Sequence, residues 1–357
     1  MKILTIVGAR PQFVKAAALS RELKGRGSVE EIIVHTGQHF DANMSEVFFE
    51  EMSIPKPKYN LNINSLGHGA MTGRMLEGIE ELIKKESPNM LLVYGDTNST
   101  IAGALAAKKL HVSVGHVEAG LRSFNMRMPE EVNRILTDRI SDHLFCPTDT
   151  AVTNLMNEGF SNFDSQIHRT GDVMQDAALY YAQYSQEKST VMQSLGNPSD
   201  FVLVTIHRAE NTDDPQRLTE IVTALNEINK RQTVICPLHP RTKKLIENIS
   251  VKPEFTVIDP IGYFDIIELL KAASLVMTDS GGLQKEAYFF SNPCITMRDE
   301  TEWVELVSNG YNILAGASVD KILSAYESIK NANLDFTLDL YGRGEASKQI
   351  ADVLVKV

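Results

Sequence analysis

The chain has 357 residues, 43% apolar and 23% charged, and a formal net charge of −11 from 35 Lys+Arg against 46 Asp+Glu. That length exceeds twice the ~150 residues of a usual domain, so two domains are expected, and the composition excludes a collagenous, low-complexity or largely disordered chain. The acidic balance gives no basic surface for a duplex, so no nucleic-acid partner is expected.

The opening run Met1–Val7 is apolar but is stopped by Gly8, Arg10 and Pro11. It is too short for a signal-peptide core, and no stretch approaches the ~18 apolar residues of a membrane span. A soluble, cytoplasmic protein without a membrane partner is expected. Short β-rich runs at 2–7, 31–35, 90–94, 111–115, 143–146 and 166–170 then alternate with helical patterns at 11–24, 70–86, 98–109 and 129–141. In the last of these, Pro129 suits the first turn, and Val132, Ile135, Leu136 and Ile140 share one face. The rhythm weakens from Tyr184 to Asp200, read as a linker or the end of an interdomain helix. It resumes with strands at 201–206, 233–236, 255–258, 274–278, 293–297 and 311–314. Asp214-Pro215 opens a helix with a capping side chain and a proline at its first position.

Strand–helix–strand repetition on this scale predicts an α/β fold, with parallel sheets covered by helices on both faces. Two such units in series make two doubly wound, Rossmann-like domains facing a cleft. The first is expected over 1–172 and the second over 173–340, with a helix in 341–357 returning to the first domain. The three cysteines, Cys146, Cys236 and Cys294, are far apart and read as buried small hydrophobes rather than as a disulfide framework or a zinc site.

In open parallel sheets, ligands bind beyond the carboxyl ends of the strands. Gly8-Ala9-Arg10-Pro11, with Lys15 one turn on, is a tight turn into a helix N-terminus that attracts an anion. It is not a GxGxxG segment, so no dinucleotide site is expected. Asp96 in Gly95-Asp96-Thr97-Asn98 and Glu118 in His116-Val117-Glu118-Ala119-Gly120-Leu121-Arg122 each follow a strand, and Glu130 begins the next helix. Taken singly, Asp96 could cap a helix and Glu130 could pair with Arg134. Three acids on adjacent loops instead suggest acid and base roles, because crowded carboxylates push their pKa values apart.

In the second half, His207 follows a strand and can donate to a phosphate. Ser280-Gly281-Gly282 ends a strand and opens a helix whose free N–H groups can hold a diphosphate, with Glu286 one turn on to accept from ribose hydroxyls. His239 and Arg241 either line the same site or serve structure. His35 and His39 have no carboxylate partner at metal-ligand spacing, and His111 and His116 are read at opposite ends of one strand, so no metal site is expected. Trp303 reads as core or site wall.

In combination, Gly8-x-Arg10-Pro11 with Lys15, Gly95-Asp96-Thr97, His116 to Arg122, Pro129-Glu130-Glu131-x-Asn133-Arg134, His207-Arg208 and Asp279-Ser280-Gly281-Gly282-x-Gln284-x-Glu286 resemble the non-hydrolysing UDP-N-acetylglucosamine 2-epimerase family. The resemblance implies a GT-B-like architecture with UDP in the interdomain cleft. It also implies no nicotinamide, metal or other cofactor, a homodimer, and a role in polysaccharide biosynthesis. The C2 proton of the sugar is not beside a carbonyl. The family therefore eliminates UDP to a 2-acetamidoglucal and adds it back after reprotonation on the other face. By position, Asp96, Glu118, Glu130 and His207 would be catalytic. Arg10, Lys15, Arg122, Arg134, Ser280, Gly281, Gly282 and Glu286 would bind the UDP-sugar substrate.

Two departures bear on the substrate. The family form Thr-Glu-Arg-Pro-Glu reads Thr301-Glu302-Trp303-Val304-Glu305 here, so Trp303 stands where a UDP-site arginine is usual. The loop that helps form an activating UDP-GlcNAc site reads Gln38-His39-Phe40-Asp41-Ala42-Asn43-Met44-Ser45 and matches only at its first two residues. That loop and Ser123-Phe124-Asn125-Met126-Arg127 are similar to a branch acting on UDP-2,3-diacetamido-2,3-dideoxyglucuronic acid, whose extra carboxylate Arg127 or Arg122 could receive. A GT-B glycosyltransferase, a hydrolysing epimerase and a nucleotide-sugar sensor are the competing readings.

Overall fold

Apolar and β-branched runs form parallel strands joined by helices along the whole chain. A computed structural model describes residues 1–38, 49, 52 and 54–357. They form two compact units, Met1–Ala177 with Asp339–Val357, and Ala178–Leu338. These borders lie a few residues from the expected 172/173 and 340/341.

In the first unit the strands are β1 (Lys2–Val7), β2 (Glu30–His35), β3 (Tyr59–Asn60), β4 (Met90–Tyr94), β5 (Ser113–Val117), β6 (His143–Cys146) and β7 (Gln166–Arg169). They pair in the order β3-β2-β1-β4-β5-β6-β7, all parallel. The order reverses direction between β1 and β4, which makes a switch point where loops after neighbouring strands diverge and leave room for a ligand. The core beside it packs Leu4, Ile6, Val34, Leu91 and Val93 against Met75 and Ile79. The strand expected at 111–115 begins two residues later. Val112 N donates to Ala107 O at 3.0 Å and His111 is left-handed at φ 59°, so these residues close the preceding helix instead.

The second unit repeats the plan with β8 (Val202–Thr205), β9 (Val234–Pro237), β10 (Thr256–Ile258), β11 (Leu275–Thr278), β12 (Cys294–Thr296) and β13 (Asn312–Leu314), in the order β10-β9-β8-β11-β12-β13. Val202 and Val204 of β8 enter one apolar cluster and Leu203 another, so both faces of this sheet are covered, as a parallel sheet requires. The stretch from Tyr184 to Asp200 is not a bare linker. It folds into the short helices Ser185–Lys188 and Val191–Ser194, and Ser185 and Ser189 donate to Glu268 and Asp265, each at 2.6 Å.

Five helices matter below: α1 (Arg10–Arg26), α2 (Asn98–Lys109), α3 (Pro129–Ile140), α4 (Gly281–Phe289) and α5 (Ala346–Leu354). The tail helix α5 belongs to the first unit. Arg26 of α1 pairs with Asp352, and Asp176 accepts from Ala346 N and Ser347 N at 3.1 and 2.6 Å. Among the described residues no helix is long and apolar enough to cross a membrane.

Helix α3 turns a polar stripe inward. Its buried residues are Glu131, Arg134, Thr137 and Asp138, whereas Leu136 is 49% exposed and Val132, Ile135 and Ile140 are only half-buried. The polar stripe turns inward because buried partners satisfy its charges, as described below.

Gly8 ends β1 where the chain has no room for a side chain. A Cβ there would lie 2.1 Å from Ser99 Oγ and 2.4 Å from Thr36 Oγ1. Gly8→Ala should therefore destabilise the first unit by about 1–3 kcal/mol, read from the shift of the urea unfolding midpoint.

Candidate active site

Gln12, in the first turn of α1, builds the first loop. Its Oε1 accepts from Gly8 N and Ala9 N at 2.8 and 3.0 Å, and its Nε2 donates to Tyr94 O at 2.7 Å. The turn expected to offer backbone N–H groups to an anion thus has two of them engaged by its own side chain. Arg10 and Lys15 remain as the cations of this loop, and Lys15 forms an ion pair with Glu118.

Asp96 does not cap α2. Thr97 does so, its hydroxyl accepting from Thr100 N. Asp96 instead pairs with Arg134, while Asn133 Nδ2 holds its backbone carbonyl at 2.9 Å. Burial raises the Asp96 carboxyl above the usual aspartate range, and nearby Glu118 pushes the same way, against Arg134 and Lys15. Glu118 sits just past β5 with its side chain 5% exposed and its backbone left-handed at φ 68°. A non-glycine residue holds that conformation only where its surroundings impose it. One Glu118 carboxylate oxygen lies 3.3 Å from the position a Cβ on Gly95 would take, which puts the second acid directly beside the Gly95-Asp96 turn.

Glu130 is exposed at the start of α3, and it does not pair with Arg134. That arginine bonds Glu131, at 3.0 Å, and Asp96. Glu131 is fully buried and accepts from Ser123 N, Ser123 Oγ and Phe124 N at 2.8–3.0 Å, shaping the loop ahead of Glu130. Arg122 is placed differently from the expectation that it binds substrate. Its side chain is 1% exposed; Nε and Nη2 donate to Glu158, and Nη1 donates to Asp138 and to Leu121 O. Its geometry is that of a brace for the loop. Arg127 is exposed.

In the second unit Asp279, 0% exposed at the end of β11, gathers the β8 loop around itself. It accepts from His207 N and Arg208 N at 3.1 and 3.0 Å, from Asn211 Nδ2 at 3.2 Å, and from His207 Nδ1 at 3.1 Å. Burial alone would raise this carboxyl. The His207 hydrogen bond and charge, the Arg208 N–H and Asn211 outweigh burial and hold it below the usual range. The His207 ring is half exposed, with Nε2 on the side away from Asp279.

Ser280 caps α4, its hydroxyl accepting from Leu283 N at 3.4 Å. At Gly281 a Cβ would come within 2.9 Å of a Glu302 carboxylate oxygen, so the end of that side chain would have to give way to one. Glu286, one turn on, is 6% exposed and accepts from Tyr263 Oη at 2.9 Å. Trp303 is 4% exposed and reads as wall. The Nζ of Lys285, itself 2% exposed, lies 3.9 Å from the centroid of its ring, so a lysine on the indole face supplies a cation near the missing arginine's place. His239 caps the helix Pro240–Glu247 and Arg241 pairs with Asp213, both structural roles. The three cysteines are buried thiols, and burial pushes Cys294 up to about 12. The loop residues His39–Ser45 lie outside the described residues.

Each acid-bearing or anion-facing loop follows a strand at or beside a switch point: β1, β4 and β5 in one unit, β8 and β11 in the other. A family model described as UDP-N-acetylglucosamine 2-epimerase matches residues 21–355. The chain belongs to that family. It is 58% identical, over 100% of both chains, to a UDP-2,3-diacetamido-2,3-dideoxy-D-glucuronate 2-epimerase of Pseudomonas aeruginosa. It is 41% identical, over 99% of both, to a UDP-N-acetylglucosamine 2-epimerase of Methanocaldococcus jannaschii. A crystal structure of a Methanocaldococcus jannaschii enzyme with UDP-GlcNAc and UDP superposes over 100% of both chains with a TM-score of 0.89. Another, of a Neisseria meningitidis UDP-GlcNAc 2-epimerase bound to UDP-GlcNAc, is 30% identical with a TM-score of 0.88.

Within this epimerase family fold, sequence reasoning missed Gln12, Glu131, Asn133 and Asp138 as site-building residues. Gln12 carried a signal, since a glutamine at the third helical position commonly reaches back to the helix start. Asp279 yields a pH prediction. Because its folded carboxyl lies below the unfolded value, it stabilises the second unit above the ordinary aspartate range, and that contribution is lost as pH falls through the folded value. Urea midpoints read from Trp303 fluorescence should drop from about pH 6 to about pH 3, and Asp279→Asn should flatten that drop.

Proposed function

We propose that this family member inverts C2 of a UDP-linked 2-acetamido sugar without hydrolysing it. The observation that carries the reading is the pair Asp96 and Glu118, held side by side at one switch point with a cation on each. A carboxylate takes the C2 proton as the C1–O bond breaks. The electron pair of the C2–H bond becomes the C1–C2 double bond, and UDP leaves with the bonding electrons of C1–O. UDP then returns to C1 as an acid delivers a proton to the opposite face of C2. Asp96, with its raised carboxyl, suits the acid role, and Glu130 at the head of α3 completes the set.

Departure of a diphosphate needs donors aimed at the developing charge. His207, oriented by Asp279, and the Ser280–Gly282 turn at the N-terminus of α4 supply them, with Arg10 adding charge. Glu286 accepts from ribose. Lys15 and Arg134 act on the substrate through the acids they neutralise, while Arg122 braces the loop. No cofactor takes part in this scheme.

Of the candidate sugars, the 2,3-diacetamido uronate is favoured over GlcNAc, because identity to the uronate enzyme is 58% against 41% to the GlcNAc enzyme. A homodimer, expected from the family, is supported by the outward apolar residues of α3, with Leu136 49% exposed. A cytoplasmic site of action in polysaccharide synthesis belongs to the same proposal.

With UDP-sugar in D₂O, NMR should show deuterium at C2 and a mixture of C2 epimers with no free sugar accumulating. Free sugar and UDP would indicate hydrolysis, and intact donor without exchange would indicate a transferase or a sensor. Asp96→Asn and Glu118→Gln should each slow exchange by ~10²–10⁴-fold and leave UDP affinity unchanged. A faster turnover of the uronate than of UDP-GlcNAc is expected, and equal rates would remove the substrate assignment.

A further inference from the structure

Asp138 lies on the inward face of α3, two turns beyond Glu130, and is 0% exposed. Its Oδ1 accepts from His116 Nδ1 at 2.7 Å, and its Oδ2 accepts from Gly120 N at 3.1 Å and Arg122 Nη1 at 2.7 Å. His116, also 0% exposed, turns its other ring nitrogen to Gly95 O at 2.7 Å. A carbonyl oxygen and an ionised carboxylate can only accept, so the ring satisfies both neighbours when each nitrogen carries a proton. One carboxylate therefore reaches both acid-bearing turns. It touches the Glu118–Gly120 turn directly, and it holds Gly95-Asp96 through His116.

We propose that Asp138 is a positioning residue for the reaction, fixing Asp96 and Glu118 relative to each other and to Glu130 on its own helix. The charge on Asp138 favours the doubly protonated ring, and the ring's second N–H pins the carbonyl of Gly95. Glu118, at φ 68°, is left-handed, a conformation that a non-glycine residue holds where neighbours over-determine it. An asparagine at 138 keeps the shape and loses the charge. The amide oxygen then keeps Gly120 N and Arg122 while its NH2 faces His116, so the ring is neutral with a bare Nδ1, and the bonds to Arg122 and from Nε2–H to Gly95 O lose their charge assistance.

The kinetic arm of the test rests on the epimerase reading above; the spectroscopic arm does not. In ¹⁵N-histidine NMR the parent protein should show both His116 nitrogens protonated, and Asp138→Asn should show one bare nitrogen and a shifted Gly95 amide. The same variant should lose ~10²-fold in kcat, while KM and the Kd for UDP change by less than about threefold. His116→Gln, which leaves Asp138 bonded to Gly120 and Arg122, should fall equally and serves if the first variant does not fold. The double variant should be no slower than the worse single one. Thr137→Ala, on the same buried face, controls for packing and should lower the thermal midpoint while keeping kcat. A bare His116 nitrogen in the parent protein overturns the proposal. So does an Asp138→Asn kcat within about threefold of the parent's, or an equal kcat loss in Thr137→Ala. If the parent protein does not turn over, the proposed function fails, and the ring spectra still decide the role of Asp138.

Discussion

Two carboxylates set side by side at the end of one sheet repel each other, and the first unit is organised around containing that repulsion. Asp96 and Glu118 each receive a cation from a different helix, Arg134 from α3 and Lys15 from α1. The pairing is not symmetrical in effect. Burial still raises the Asp96 carboxyl despite its arginine. A carboxyl raised in this way holds its proton to a higher pH than a free aspartate does. The cations that permit the pair to exist thus tune it.

The second unit solves a different electrostatic problem with the same sheet order. The acid there is turned inward and used as a frame. Asp279 is enclosed by two backbone N–H groups, Asn211 and the His207 ring, and its carboxyl is held low rather than raised. What faces outward is the imidazole and the start of α4. In the first unit the acids are backed by cations, and in the second the donors of the His207 loop are backed by an acid.

Much of this was legible in the residue order. Strand and helix positions followed from period and from Gly–Pro punctuation, and the polar residues directly after strands pointed to the loops at the strands' carboxyl ends. Asp96, Glu118, His207 and Ser280 stood out because a charged or small residue straight after an apolar run has few structural reasons to be there. The residues that orient them did not stand out. Glu131, Asn133 and Asp138 lie within a helix, where a polar side chain usually faces water, and only tertiary contacts reveal what they hold. Arg122 misled for a related reason. A cation in a site motif suggests an anionic ligand, yet two carboxylates from elsewhere in the unit, Asp138 and Glu158, already hold it.

Helix α3 shows why amphipathic pattern alone assigns no direction. Period establishes that a helix has two faces, and the usual inference buries the apolar one because burying charge without partners is costly. In α3 every buried ionisable group is partnered: Glu131 by Ser123, Phe124 N and Arg134, and Asp138 by His116, Gly120 N and Arg122. With that penalty offset, the inward face is free to serve as scaffold for the acids. The apolar residues are displaced outward, and Leu136 stays half exposed in the isolated chain. A helix so arranged contributes less hydrophobic burial to its own unit than its composition allows. The same arrangement that holds the acids inside therefore leaves an apolar surface outside.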